Sequence, residues 1–214
     1  MTSQDPQPPD AWSLRGRRLG PCFLIWLLLI LLSPLGAQIA PAYRQLSLRE
    51  GLPQSQVASI LGDSRGFVWV GTNAGGVARL GANGFQTFGA AQGLVARQVS
   101  ALWEDQDGTI LVSSRDEGLS AIRGNQVINF PSEEGLGPTG CFDLGPAPGG
   151  GVAVASVKGL WVMREGVLTR TPLGTTLDDQ RIFSLALEGR DHLWMLGRDQ
   201  VGVWDGRRFE VRPA

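Results

Sequence analysis

The sequence contains little cysteine, lysine, histidine or tyrosine, and each shortage excludes a class of protein. Its two cysteines, Cys22 and Cys141, are too few for a disulfide-stapled scaffold. Lys158 is the single lysine and the net charge is −1, so we expect no basic surface for nucleic acid. One histidine and one tyrosine leave few side chains for general acid–base catalysis.

The sequence also lacks an apolar run long enough to span a bilayer comfortably. An unbroken apolar run extends only from Cys22 to Leu32, whereas a membrane-spanning helix needs about 20 residues. Arginines within residues 15–18 precede this run and small residues follow it, which is the arrangement of a secretory signal. We therefore predict that residues 1–37 are a signal peptide, cleaved after Ala37, and that the chain is periplasmic or extracellular. The alternative is that this segment stays uncleaved as an anchor, through which the chain would contact the membrane.

Glycine is abundant instead, and it marks an internal repeat. The pair Gly-Leu occurs at residues 51–52, 93–94 and 135–136, at intervals of 42. An apolar stretch, a short turn and a second apolar stretch follow each pair, and a fourth copy lacks only the pair itself. Turns of the form D-x-x-G, such as Asp63 to Gly66, are typical of tight connections between antiparallel strands. They are far too short to be calcium loops.

Each copy predicts four antiparallel strands. The second strands are apolar at consecutive positions, so each sheet should be buried between two neighbouring sheets. Four strands in about 42 residues are typical of a blade of a β-propeller. We predict an all-β fold, a β-propeller of four-stranded antiparallel blades, with about four blades. The predicted blades cover approximately residues 52–92, 94–134, 136–177 and 178–214 of a propeller region at residues 43–214.

Several finer expectations follow from the alignment of the copies. Gly202-Val203 aligns with Gly76-Val77 at the start of a third strand, and residues 43–48 match an outer strand. Cys141, beside Phe142 in an apolar stretch, should be a small buried side chain rather than a reactive thiol. The remaining expectations are that Trp161 and Trp204 pack between blades, that Trp103 lies near the channel, and that hydroxyls of Thr72, Ser114 and Ser156 bond a neighbouring blade.

Residues 51–88 resemble the repeat of the two-component regulator propeller family. They show Gly-Leu, an apolar strand, the D-x-x-G turn, Val68-Trp69-Val70-Gly71-Thr72, a Gly-Gly pair and an aromatic outer strand. The second copy keeps this frame without the Trp, the third has lost both the Asp turn and the Trp, and the fourth regains Trp194. The resemblance implies the extracytoplasmic sensing part of a bacterial signalling protein. In that family, propellers precede a β-sandwich module, a membrane helix and a cytoplasmic histidine kinase or nucleotide cyclase.

The sequence departs from this family in the number of its repeats. Family propellers are usually seven-bladed, whereas this chain supplies four repeats and no kinase or cyclase. We therefore expect an N-terminal part of such a protein that lacks its output domain and is not itself an enzyme. We favour an open arc over a closed four-bladed ring. Blades whose wedge angle suits a seven-bladed propeller would have to repack in order to close a ring of four. Another propeller segment or another chain could cover the open blade faces.

Three classes of function are compatible with these features. The first is a sensory module that binds a small molecule or an oligosaccharide. The second is an exported propeller enzyme such as a lyase, for which His192 is the one histidine candidate, although its alignment with Phe67 favours a structural role. The third is a scaffold or an inert fragment. The sequence assigns no catalytic, ligand-binding or metal-binding residue and no cofactor, and the ligand, the loops of the site and the oligomeric state stay open.

Overall fold

The structure of the chain is a computed structural model that describes residues 45–130, 136 and 140–212. The predicted signal peptide, residues 1–37, and residues 43–44 lie outside the described residues. The described part contains no helix that is both long and apolar enough to cross a membrane.

Sixteen described strands form four antiparallel sheets, and within each sheet the strands lie in chain order. The first sheet contains β1 (Val57–Gly62), β2 (Val68–Thr72), β3 (Val77–Gly81) and β4 (Gly84–Phe88). The second contains β5 (Val99–Glu104), β6 (Ile110–Ser114), β7 (Gly118–Arg123) and β8 (Gln126–Phe130). The third contains β9 (Cys141–Pro146), β10 (Val152–Ser156), β11 (Gly159–Arg164) and β12 (Val167–Thr171). The fourth contains β13 (Ile182–Glu188), β14 (His192–Gly197), β15 (Val201–Trp204) and β16 (Phe209–Arg212).

The sheets pack face to face in chain order, as the blades of a propeller do. β1 and β2 pack on β5, β5 and β6 pack on β9, and β9 and β10 pack on β13. Three apolar clusters fill the spaces between successive sheets. The all-β propeller predicted from the repeat is therefore confirmed.

Burial between sheets explains the continuous apolar runs of the second strands. Every residue of β6 and of β10 is buried, because both of their faces meet a neighbouring sheet. Trp161 and Trp204 are buried in two of the clusters, which confirms their predicted place between blades. Trp103, on the inner strand β5, is half-buried and packs against the cluster between the second and third sheets. Cys141 is fully buried, and this burial raises the pKa of its thiol to about 12, which confirms its role as a small apolar side chain.

The D-x-x-G turn adopts the predicted conformation. The Asp63 carboxylate accepts hydrogen bonds from the backbone N–H groups of Arg65, at 3.0 Å, and Phe67, at 2.8 Å. Gly66 has a φ of +85°, a value that favours glycine. The turn thus satisfies its own polar groups and needs no bound ion.

The predicted outer strand at residues 43–48 is wrong in its described part. Residues 45–47 belong to no strand, and Leu48–Glu50 form a 3₁₀ helix. The Glu50 carboxylate accepts from the Ser47 backbone N–H at 2.7 Å and from the Ser47 hydroxyl at 2.6 Å, which is a capping box. Gly51 ends the helix with a φ of +99°. Local capping therefore overrides the aromatic and apolar spacing that indicated a strand.

The predicted start of the last third strand is displaced by two residues. Leu193 pairs with Trp204 where Val68 pairs with Leu80, so Val201, rather than Val203, corresponds to Val77. Five residues separate the paired Gly71 and Val77, whereas four separate the paired Leu196 and Val201. The connection from β14 to β15 is therefore one residue shorter than its counterpart, and the alignment by Gly-Val placed the strand too far along the chain.

The hydroxyls at the ends of the second strands bond within their own blades, contrary to expectation. The Thr72 hydroxyl donates to the Gly76 carbonyl at 2.9 Å, and the Ser156 hydroxyl donates to the Gly159 carbonyl at 2.9 Å. The Ser114 hydroxyl donates to the Glu117 carboxylate. Each closes the turn to the third strand, because the turn places its polar groups nearer than any neighbouring sheet does.

The outer face of the first sheet shows that the propeller is an open arc. Val57 is 43% exposed and Ile60 is 68% exposed, whereas Val99 and Leu102, at the corresponding positions of the second sheet, are 0% and 6% exposed. Within the described ranges, no strand of the first sheet packs extensively on a strand of the fourth. The aliphatic side chains that would face a preceding blade are in water instead, which confirms the predicted open arrangement.

Candidate ligand-binding site

The first strands of the four sheets lie at the inner edge of the arc. β1, β5, β9 and β13 contact one another in succession, whereas no such packing joins the fourth strands of the described sheets. In a propeller this inner edge borders the central channel. Side chains near the ends of these strands are therefore the natural candidates for contacting a ligand.

Each inner strand carries a bulge at the same place. The pairing with the second strand skips one residue between Val57 and Ser59, and the corresponding step recurs in the other three sheets. A bulge leaves one residue unpaired and re-aims its side chain. The four skipped residues are Ala58, Ser100, Phe142 and Phe183. The last two place a large aromatic ring at a position where the first two sheets carry small side chains.

Phe142, Phe183 and Arg181 form what we call the inner-rim cluster. The two phenyl ring centroids are 5.8 Å apart, and the Arg181 guanidinium carbon lies 5.0 Å from the Phe142 centroid and 5.7 Å from the Phe183 centroid. Phe183 is 38% exposed. A cation within about 6 Å of an aromatic ring is attracted by its quadrupole, so the rings hold the guanidinium in place.

A cavity of about 320 Å³ adjoins this cluster and shares Arg181 with it. Its walls come from three connections at the same end of the sheets: the turn after β10, the segment before β13 and the turn after β14. Its lining residues are Val157, Asp179, Gln180, Arg181, Arg198 and Asp199. Cavities of a few hundred Å³ are large enough for small ligands.

The polar groups of this cavity are only partly engaged within the fold. The Asp179 carboxylate accepts from Arg170 at 2.9 Å. Arg181 and Arg198 form no hydrogen bond or ion pair with any residue that the structure describes. Guanidinium groups present five N–H donors in a fixed plane, so the cavity offers donors that a ligand could occupy.

A larger cavity, of about 380 Å³, lies at the opposite end of the second and third sheets. Its polar residues are used by the fold: Arg164 donates to the Gly150 carbonyl at 3.0 Å and to the Pro148 carbonyl at 3.1 Å. Asp107 pairs with Arg123, and a hydrogen bond from the Thr109 hydroxyl holds the pKa of Asp107 below its usual range. Because these polar groups are already engaged, we consider the smaller cavity the better candidate.

The described residues contain no cluster of side chains suited to a metal ion.

The structure does not bring His192 to the inner-rim cluster. His192 pairs with Glu188 at one end of the hairpin of β13 and β14, whereas Ile182, beside Phe183, pairs with Gly197 at the other end. At about 3.3 Å per residue the two ends of β14 are roughly 16 Å apart. A histidine at that distance cannot contact a small ligand bound against Phe183.

Sequence reasoning assigned no binding residue, and it therefore missed the inner-rim cluster. The alignment of the repeats did contain one signal. Phe142 and Phe183 occupy the position of Ala58 and Ser100, directly after the first residue of the inner strand. The role of Arg181 was not visible, because it depends on how two sheets approach each other.

Residues 51–74 match the family model described as two component regulator propeller. The match covers β1 and β2 of the first blade and the segment before them. This match confirms the resemblance read from the same residues. No curated protein matches the chain at a significant level.

Solved structures share the fold of this chain. The extracellular domain of a hybrid two-component system from B. thetaiotaomicron is 17% identical, with a TM-score of 0.61, over 73% of this chain and 22% of that one. Virginiamycin B lyase from Staphylococcus aureus is 15% identical, with a TM-score of 0.61, over 77% of this chain and 57% of that one. The chain thus spans about a fifth of the first protein and just over half of the second. At these identities the likeness shows the fold.

Proposed function

We propose that this chain is an extracytoplasmic sensory module of a bacterial two-component signalling protein and that it binds a small molecule at the inner-rim cluster. The regulator propeller repeat at residues 51–74 supports the signalling context. The likeness to the extracellular domain of a hybrid two-component system supports the location. The output domain, a kinase or a cyclase, belongs to the remainder of such a protein, and this chain is not itself an enzyme.

The observation that carries the proposal is Arg181, packed against two partly exposed phenyl rings at the edge of a cavity. Partly exposed aromatic rings provide apolar contact area for a ligand, and the adjoining guanidinium groups provide hydrogen-bond donors. The two rings come from neighbouring sheets, since Phe142 belongs to β9 and Phe183 to β13. A ligand that touches both therefore senses the spacing of two blades, which is a physical route from binding to a change in the propeller.

A binding screen with matched variants tests this site. The purified chain is screened by thermal shift and isothermal titration calorimetry against neutral and acidic monosaccharides and disaccharides at millimolar concentration. We expect at least one compound to bind the wild type, to lose most of its affinity in Phe183→Ala, and to bind normally in His192→Ala. Binding that is unaffected by Phe183→Ala would place the site elsewhere, and the absence of any binding would contradict the proposal.

An exported enzyme is the alternative function. Such an enzyme would need a proton-transferring side chain within reach of its substrate, and His192 lies at the other end of the sheet from the inner-rim cluster. Incubation of each bound compound with the chain, followed by chromatography, should recover it unchanged. Conversion that disappears in His192→Ala would favour the enzyme.

A further inference from the structure

The arginines of the described region fall into two groups. Half of them bond to the fold through their side chains, five of these in ion pairs: Arg65 with Asp63, Arg97 with Glu117, Arg123 with Asp107, Arg170 with Asp179 and Arg212 with Glu210. Arg181 and Arg198 belong to the other half, and what distinguishes them is that both line the 320 Å³ cavity. Two unpaired guanidinium groups therefore face the same space.

The carboxylates near this cavity leave the positive charge largely uncompensated. Asp179 is paired with Arg170 at 2.9 Å. Asp178 accepts the backbone N–H groups of Leu173, at 2.6 Å, and Gly174, at 2.9 Å, so it serves the local turn. Asp199, an exposed residue of the cavity wall, stays available as an acceptor for hydroxyl groups. The site thus combines two cationic donors with one anionic acceptor.

The position of Arg181 favours a planar anion, such as a carboxylate, as the ligand. Its guanidinium is restrained over two rings, so less side-chain entropy is lost when it binds a ligand. A guanidinium in a fixed plane matches a carboxylate through two parallel hydrogen bonds. The adjoining phenyl rings provide a flat apolar surface for the body of the same ligand.

We infer that the ligand of this site is a ring compound that carries a carboxylate. Its carboxylate binds Arg181 and Arg198, its ring lies against Phe142 and Phe183, and ring hydroxyls, where present, donate to Asp199. This inference rests on the proposed function, because it names the chemistry of the molecule sensed at the inner-rim cluster. Acidic sugars and aromatic carboxylic acids share this chemistry, and Asp199 favours the sugar.

Calorimetric titrations with matched probes test the inference. The probes are galacturonic acid, its uncharged methyl ester, galactose and benzoate. We expect galacturonic acid to bind at least about tenfold more tightly than its methyl ester, because charge-assisted hydrogen bonds are lost in the ester. Its binding should also weaken with added salt. Benzoate that binds as tightly as galacturonic acid would identify an aromatic acid as the source of the carboxylate.

Two variants separate the charge from the site. Arg181→Gln should reduce the affinity for galacturonic acid to about that of the methyl ester while leaving the ester unchanged, whereas Arg208→Gln, on an exposed turn at the other end of the sheet, should change neither. Equal binding of acid, ester and galactose that is lost in Phe183→Ala would overturn the inference and leave the proposed function standing. If none of the four probes binds in a way that Phe183→Ala abolishes, the inference is overturned. If no compound of the full screen binds in this way, the proposed function is overturned as well.

Discussion

At the scale of single residues, the Asp63 carboxylate connects the turn to the core. Its side chain is 0% exposed, and it accepts from the Trp69 indole N–H at 2.9 Å as well as from the turn. Burial alone would raise the pKa of Asp63, but the hydrogen bonds from Trp69, Phe67 and Arg65 together hold it below its ordinary value. In the fourth sheet, Trp194 donates to Glu188 at 2.7 Å in an exposed setting. The hydrogen bond between a turn carboxylate and a strand tryptophan should therefore contribute more to the free energy of unfolding in the first blade than in the fourth.

Asp63→Asn should lower the free energy of unfolding by about 1–3 kcal/mol, because buried hydrogen bonds to a charged group are weakened or lost. Glu188→Gln, the matched change at the exposed pair, should alter it by less than about 0.5 kcal/mol. Urea unfolding followed by tryptophan fluorescence measures both. Equal effects of the two substitutions would contradict the assigned role of burial.

The stability of the wild type should also depend on pH through Asp63. Its pKa in the folded state is below the ordinary value of 3.8, so the folded state favours the charged form. This contribution is complete above the pKa of the unfolded chain and is lost as the pH falls through the lower pKa of the folded state. In unfolding experiments between about pH 6 and pH 2, Asp63→Asn should therefore show a shallower loss of stability than the wild type does. Parallel curves would show that Asp63 does not contribute.

At the scale of elements, Gly71 on β2 sets the approach of the second sheet. A Cβ atom at Gly71 would lie 2.4 Å from Cγ1 of Val99 on β5. The corresponding residues Ser113 and Ala155 are small and fully buried, whereas Leu196 in the fourth sheet is 47% exposed. The position requires a small side chain where another sheet follows in close contact.

Gly71→Ala should destabilise the protein by about 1–3 kcal/mol through overpacking. The second substitution Val99→Ala should reduce this penalty, because it removes the methyl group that is in the way, and a double-mutant cycle measures the coupling. Gly62→Ala is the matched control, since no atom lies within 4 Å of the added Cβ there. A cycle with no coupling between Gly71 and Val99 would contradict this account of sheet packing.

The elements that could be predicted from the sequence are those specified by local rules. The Asp63 turn follows from side-chain hydrogen bonding within four residues, and the buried β6 follows from its apolar run. The displaced register at Val201 was missed because the length of a connection is not fixed by the strands it joins. The inner-rim cluster was missed because Phe142 and Phe183 are 41 residues apart and meet only when two sheets pack. Which loops converge is a property of the assembled blades.

At the scale of the whole molecule, the first sheet of the arc has an aliphatic face that no described sheet covers. Val57, Ile60 and Val68 are exposed on the first sheet, although the matching residues of the second sheet are buried. Exposed apolar patches of this kind are typical of surfaces that bind a partner or promote association. We propose that another propeller segment or another chain covers this face.

The pair Ile60 and Leu102 provides a direct measurement of the open arrangement, because the two residues occupy the same position in successive sheets. Leu102 is 6% exposed and Ile60 is 68% exposed. Leu102→Ala should therefore cost about 2–5 kcal/mol of unfolding free energy, whereas Ile60→Ala should change it by less than about 0.5 kcal/mol. In a closed four-bladed ring, both side chains would be buried between sheets, and both substitutions would carry the cost of a cavity. Chemical unfolding of the two variants at low protein concentration distinguishes the arrangements, and a large loss for Ile60→Ala would show that the first sheet is covered in solution.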